Sequence, residues 1–336
     1  MSLLESLKGR LSLPLIGSPL FIISVPDLVV AQCTAGIVGA MPSLNARPGE
    51  LFEEWVIEIK ERLAAHDARH PERPAAPFAI NLIVHKSNDR LDHDLAVCVQ
   101  QQVPLIISSL GAREEVNTAV HGYGGHVLHD VINQRFAHKA IEKGADGLVL
   151  VCAGAGGHAG ALSPFGFVQE TRAWFDGPIA LSGAIANGRS VLAAEALGAD
   201  FAYAGSAFIA TQEARAQPEQ QRMILDCGAE DIVYTNLITG VHGNYMKPSL
   251  ARAGLDPDNL PTSDPSAMSF GTDRSKRRWK DIWGAGQGIG AVSDIPPAAE
   301  LVARWRREYH AARARLGAGC PLLNPAWEAV LEAAAE

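Results

Sequence analysis

The strongest constraint on what this chain can fold into is a rhythm. Short, wholly apolar runs alternate with longer amphipathic stretches, at 19–23, 36–40, 78–84, 104–108, 125–129, 147–151, 178–182 and 201–205. Polar and apolar residues do not alternate within these runs, which is the pattern of parallel strands covered on both faces. Between them, 49–65, 90–101, 112–120, 134–143 and 188–197 carry apolar residues at helical spacing. Gly144 and Gly198 fall just past two of these helices, where a left-handed residue closes an αβ turn at little cost. Eight strand candidates joined by helices predict an α/β fold of the (β/α)8 TIM-barrel type. A doubly wound open sheet would want a glycine-rich phosphate turn after its first strand, and Ile16-Gly17-Ser18-Pro19 offers none.

The rhythm breaks at 218–291, a stretch rich in Gly, Pro, Asp and Asn. The expectation is a barrel made of 1–217 plus 292–336. The stretch 218–291 would be inserted after the eighth strand as a helical and loop excursion covering the C-terminal mouth. A helical period returns over 300–316.

The formal net charge of -8 argues against a nucleic-acid surface, because no basic stripe is available to neutralise phosphates. Arg274-Ser275-Lys276-Arg277-Arg278 is the main basic cluster and reads as a solvated loop. Five cysteines, Cys33, Cys98, Cys152, Cys227 and Cys320, show no CxxC spacing, which fits unpaired thiols in a reducing compartment. The first residues lack the layout of a signal peptide, and no apolar run approaches the ~20 residues that span a bilayer. The expected location is cytoplasmic.

Chemistry concentrates at strand ends. Cys152-Ala153-Gly154-Ala155-Gly156-Gly157-His158-Ala159-Gly160 follows the sixth strand, and so sits on the catalytic face of a βα barrel. Its glycines let backbone approach a flat or phosphorylated ligand, while His158 is a candidate acid or base. Ser182-Gly183-Ala184 and Gly205-Ser206 close the seventh and eighth strands, each expected to lead into a helix whose N–H groups could meet a phosphate. The rival reading makes both serines simple helix caps. A dinucleotide reading of the Gly154 loop is weak, because Ser163-Pro164-Phe165-Gly166 intervenes before any helix. His66 and His70 share a helical face but read as a solvated helix end, and no metal site is expected. His85, just past the third strand, is a second candidate for the pocket wall.

These motifs occur together, in this order, in a known family. The Gly-Gly-His-x-Gly loop, the two small-residue turns with Phe208-Ile209-Ala210-Thr211 behind the second, and Trp283-Gly284-Ala285-Gly286-Gln287-Gly288 resemble the nitronate monooxygenase (2-nitropropane dioxygenase) family. So do Pro14-Leu15-Ile16-Gly17-Ser18-Pro19-Leu20 and Phe78-Ala79-Ile80-Asn81-Leu82, and the resemblance runs from about 12 to 310. It implies FMN across the barrel mouth. Ser18, Pro19, Leu20, Asn81 and His129 would border the cofactor, with Gly156 and Gly157 beside the flavin. Ser182, Gly183, Ala184, Gly205 and Ser206 would hold its phosphate, and His158 would be the catalytic residue. Phe21, His85, Trp283 and Gln287 would line the substrate side. Several relatives carry Lys where this chain has Asp130. The implied reaction passes one electron from an alkyl nitronate, such as propionate 3-nitronate, to FMN and on to O2, yielding a carbonyl compound and nitrite or nitrate. The expected partners are therefore a small nitronate or nitroalkane and O2, with no membrane, and a homodimer is a candidate assembly. An NAD(P)H-dependent flavin reductase of the quinone or enoyl-acyl-carrier-protein type is the alternative enzyme. A flavin-binding sensor without turnover is the alternative class.

Overall fold

The computed structural model of the chain describes residues 2–263 and 282–318. Eight parallel strands, β1 (Leu15–Gly17), β2 (Gly39–Pro42), β3 (Phe78–Ile83), β4 (Leu105–Ser109), β5 (His126–Val131), β6 (Gly147–Val151), β8 (Ile179–Ser182) and β9 (Phe201–Ala204), pair in one continuous series. Its two ends meet: Ile16 bridges Val38, and Gly17 N–H donates to the Val38 carbonyl at 2.8 Å. The sheet thus closes on itself as a TIM barrel, with no exposed strand edge.

Helices α2 (Pro26–Thr34), α3 (Leu51–Arg69), α4 (Leu91–Gln100), α5 (Glu114–His121), α6 (Gln134–Glu142), α7 (Pro164–Arg172) and α8 (Gly188–Ala196) fill the connections. Their apolar stripes cover the outward strand residues. Phe52, Val56, Leu91 and Val116 pack with Ile80, Leu82, Ile106 and Val127. On the other half, Phe167, Val191 and Trp305 pack with Leu15, Leu148, Leu150 and Leu181. A final helix, Ala298–Gly317, lies against α8 and α2.

Strand alternation decides what faces inward. Ile16, Ala79, Ile107, Leu128, Val149, Ala180 and Phe201 form one interior cluster. Leu3 and Leu7, from the short helix α1 (Leu3–Leu7), join it and plug the lower end. Two residues further along the strands, the inward positions turn polar: Ser18, Asn81, Ser109, Asp130, Ser182 and Tyr203. The barrel is therefore greasy below and polar at its mouth.

Three expectations change. The run 19–23 is not a strand: it is a turn following β1, and Ile22 has φ 70°. A β-branched residue cannot hold that conformation in a strand; here Asn45 Oδ1 fixes it by accepting from Ile22 N–H at 2.7 Å. The turn after β8 does not enter a helix directly, since α8 begins only at Gly188. A helix does open at Pro164, where the sequence suggested an interruption.

The excursion after β9 covers the mouth with more than helix and loop. Beyond α9 (Ser206–Ile209) and α10 (Pro218–Asp226), strands β10 (Ile232–Thr235) and β11 (Gly243–Met246) form an antiparallel pair, followed by α11 (Lys247–Arg252). β11 also pairs with a two-residue strand, β7 (Gly157–His158). The four described cysteines are free and buried. Arg274-Ser275-Lys276-Arg277-Arg278 and Cys320 lie outside the described residues. No helix among the described residues is long and apolar enough to cross a membrane.

Candidate active site

The glycine-histidine loop leaves β6 and is held from several directions at once. Gly154 carbonyl accepts from Ala184 N–H (3.2 Å) and Gln287 N–H (2.9 Å). Asn244 Nδ2 donates to the Ala155 carbonyl at 2.6 Å. Gly286 N–H donates to Ser206 Oγ at 2.8 Å. Gly156 lies in the middle: a Cβ there would come within 2.8 Å of Gly286 N and 2.9 Å of Ser206 Oγ. Backbone from β6, β8, β9 and the 283–288 loop thus meets at distances only glycine allows. Gly154, Gly156, Ala184, Ser206 and Gln287, far apart in sequence, form one wall.

Gly157 differs from its neighbours. It has φ +67° and nothing within 4 Å of where a Cβ would stand. It faces open space, as a glycine bordering a flat ligand would.

His158 follows, and its pairing with β11 fixes its direction: Gly157 pairs Asn244 and His158 pairs Gly243. Its Nε2 lies 3.2 Å from Thr239 Oγ1. Burial disfavours the imidazolium and pushes the ring's pKa down to about 4. At neutral pH the ring is therefore uncharged, able to accept a proton or to donate one hydrogen bond.

A second cluster lies around the ends of β1, β3, β4, β5 and β9. Gly205 packs where a Cβ would stand 3.0 Å from Leu20 Cδ2 and 3.2 Å from Ser18 Cβ, joining the ends of β1 and β9. Ser18 also lies within hydrogen-bonding reach of the buried Tyr203 phenol. Asn81 Nδ2 donates to the Ile107 carbonyl (2.9 Å) and to Ser109 Oγ (2.6 Å), and Ser109 Oγ donates to Asp130 Oδ2 at 2.5 Å. Burial pushes the Asp130 carboxyl above the ordinary carboxylate range. Burial also raises the Tyr203 phenol, with nearby Asp130 adding to the effect.

The remaining candidates are dispersed. Phe21 is exposed, with the Arg47 guanidinium 5.2 Å from its ring centre. His85 is half-buried, its Nδ1 2.8 Å from Ser87 Oγ. Gln287 is exposed at the 283–288 loop. Trp283 is buried in the core, its ring beneath the Arg252 guanidinium at 3.8 Å. His129 alternates outward on β5, with Nε2 on the Gly111 carbonyl, and the inward place falls to Asp130. His66 and His70 lie 4.8 Å apart near one helix end with their rings tilted, and His66 is buried rather than solvated as the sequence suggested; no three metal-ligating side chains converge among the described residues.

Sequence reasoning missed Ser109, Tyr203, Thr239 and Asn244 as parts of the site, and met Asp130 only as a departure from relatives. For Ser109, Asp130 and Tyr203 the signal was parity: each stands two residues beyond an interior apolar residue of its strand.

A flavin suits these surroundings. The mouth offers an open glycine face at Gly157. It also offers small-residue turns at Ser182–Ala184 and Gly205–Ser206, and polar inward side chains at Ser18, Asn81 and Asp130.

The chain matches the nitronate monooxygenase family over residues 57–307. It is 25% identical to a nitronate monooxygenase of Paraburkholderia phytofirmans, across 88% of this chain and 92% of that protein. Its fold superposes on nitroalkane oxidase from Streptomyces ansochromogenes with a TM-score of 0.77, at 21% identity, covering 92% of this chain and 99% of that one. FabK from Thermotoga maritima gives the same TM-score and identity, covering 95% and 99%.

Proposed function

Since this chain belongs to the nitronate monooxygenase family, and so is a flavin-dependent oxidoreductase, we propose that it binds FMN across the barrel mouth and oxidises alkyl nitronates with O2 to a carbonyl compound and nitrite or nitrate. The observation that carries this reading is His158, an imidazole that burial keeps uncharged and whose backbone the β7–β11 pairing fixes beside the glycine wall. The bound flavin supplies an electron acceptor for the substrate and a donor for oxygen.

The protein's own residues do the rest. Ser182, Gly183, Ala184, Gly205 and Ser206 border the phosphate with hydroxyls and small-residue backbone, the Ala184 N–H itself being committed to the Gly154 carbonyl. Ser18, Pro19, Leu20 and Asn81 border the ring, with Gly156 and Gly157 beside it. The His158 ring, positioned by the contact of its Nε2 with Thr239 Oγ1, accepts the carbon-bound proton of a neutral nitroalkane or donates a hydrogen bond to a nitronate already deprotonated. The cover formed by β10, β11 and the 283–288 loop keeps water from the proton-bearing carbon. Phe21, His85 and Gln287 remain the candidates for the substrate side.

The test is spectroscopic. Anaerobic addition of propionate 3-nitronate to FMN-loaded protein should bleach the flavin band, and readmitted air should restore it with release of nitrite or nitrate. Bleaching by NADH, with none by the nitronate, would replace this reading with the reductase.

A further inference from the structure

Among the polar side chains at the barrel mouth, one has an acid at its end and no place in the chemistry above. Asn81 donates to Ser109 Oγ at 2.6 Å, and the Ser109 hydroxyl donates to Asp130 Oδ2 at 2.5 Å. Because the Asn81 amide is also committed to the Ile107 carbonyl, the chain has one direction, and Asp130 is its terminal acceptor. Asp130 is inward-facing, in the same layer as Ser18 and Asn81. No lysine or arginine among the described residues pairs with it. The titratable groups near it are His129 on its own strand and Tyr203 from β9. β4 presents Ser109 and β6 presents Val149 and Val151, none of them ionisable.

We propose that Asp130 lies against the flavin ring of the loaded enzyme and sets how much negative charge that ring can hold. The proposal rests on the flavin reading above. As a neutral acid, Asp130 donates a hydrogen bond to a ring atom that gains charge; as a carboxylate, it repels that charge across a short, poorly screened distance. Burial opposes ionisation by more than His129 and the hydrogen bonds from the Ser109 hydroxyl and the Leu110 N–H favour it, so the change from one form to the other falls above the usual carboxylate range. The ring's affinity for added electron density then falls as pH rises.

Sulfite reports this without turnover. Its sulfur lone pair would form a bond to flavin N5, with the displaced electron pair moving to the N1–C2 carbonyl side; the sulfur is formally oxidised and the flavin formally reduced by that one pair, with no other oxidant or reductant needed, and the adduct gains negative charge. The FMN-loaded parent and Asp130→Asn are titrated with sulfite across the whole pH range in which the folded enzyme keeps its FMN, with sulfite's own protonation corrected for. At the acid end the two should bind alike. As pH rises the parent should come to bind at least about tenfold more weakly than Asp130→Asn, as expected for one unscreened charge. Ser109→Ala removes a hydrogen bond that favours the carboxylate, so the parent's loss of affinity should move to higher pH. Equal affinities across the range and equal FMN loading overturn the proposal and leave the flavin reading standing. A parent that takes up no FMN overturns the flavin reading itself. Should Asp130→Asn fail to fold, an unmoved pH midpoint in Ser109→Ala overturns the proposal.

Discussion

His158 is where a single atom decides between two chemistries. A nitroalkane must lose a carbon-bound proton before it can give up an electron, whereas a nitronate has already lost it. If His158 is the base, His158→Asn should cut turnover of the nitroalkane by about 10²- to 10⁴-fold and of the nitronate far less. The pH profile adds a second constraint. An imidazole held down to about 4 is a competent base throughout the neutral range, so kcat/KM for the nitroalkane should stay level from about pH 8 to pH 5. An ordinary histidine would already be losing activity below about pH 6.5. A fall centred near 6.5 that vanishes in His158→Asn would mean the ring is solvated, not buried. The same shift has a stability sign. The unfolded state binds this proton first as pH falls below about 6.5, so the parent should lose stability between there and pH 4, and His158→Asn should lose less over that window.

At the scale of elements, the described glycine with least room for a side chain is Gly188, where α8 meets the helix Ala298–Gly317. A Cβ on Gly188 would stand 1.9 Å from the Trp305 carbonyl oxygen and 2.5 Å from Tyr309 N, and Gly188 N–H donates to Glu308 Oε2 at 2.8 Å. Backbone cannot rotate away as a side chain can, so Gly188→Ala should cost about 3 kcal/mol, seen as a lower denaturant midpoint at unchanged slope. A midpoint equal to the parent's would mean these helices do not pack in solution as described. Helices such as α3 and α4 were legible in the sequence because an amphipathic stripe needs no knowledge of its partner. Most barrel strands were legible for a related reason: an apolar run bounded by glycine or proline has few other uses. The turn 18–22 was not, because what bends it is Asn45, twenty-three residues from Ile22 in sequence. The β10–β11 pair was not, because it is completed by only two residues of a glycine loop. The polar layer at the mouth was hidden differently. In strands apolar on both faces, hydropathy does not say which residues point inward, so Ser109 and Asp130 looked like strand ends.

For the whole molecule, the site is assembled almost entirely from strand ends and the excursion that covers them, so cofactor binding and global stability should be linked. The barrel seam between β1 and β2 is short, bridged at Ile16 and Val38. The wall of the mouth joins residues 154–158, 184, 206, 244 and 284–287 through backbone contacts. A ligand touching the Ser182–Ala184 and Gly205–Ser206 turns together with the Ser18–Leu20 turn would tie together the ends of β8, β9 and β1, beside that seam. Ligand that binds only the folded state stabilises it by about 2.7 kcal/mol at a hundred times its Kd. With an unfolding entropy of about 2.1 cal/mol/K per residue, a chain this long should gain about 4 °C in Tm. If the turns cradle one terminal phosphate, as proposed, FMN should give this shift and FAD much less at the same concentration. Riboflavin, with the ring but no phosphate, should also fall short. If FMN and riboflavin raise Tm equally, the Ser182 and Ser206 turns do not hold the phosphate; if neither raises it in flavin-stripped protein, the mouth is not where flavin binds.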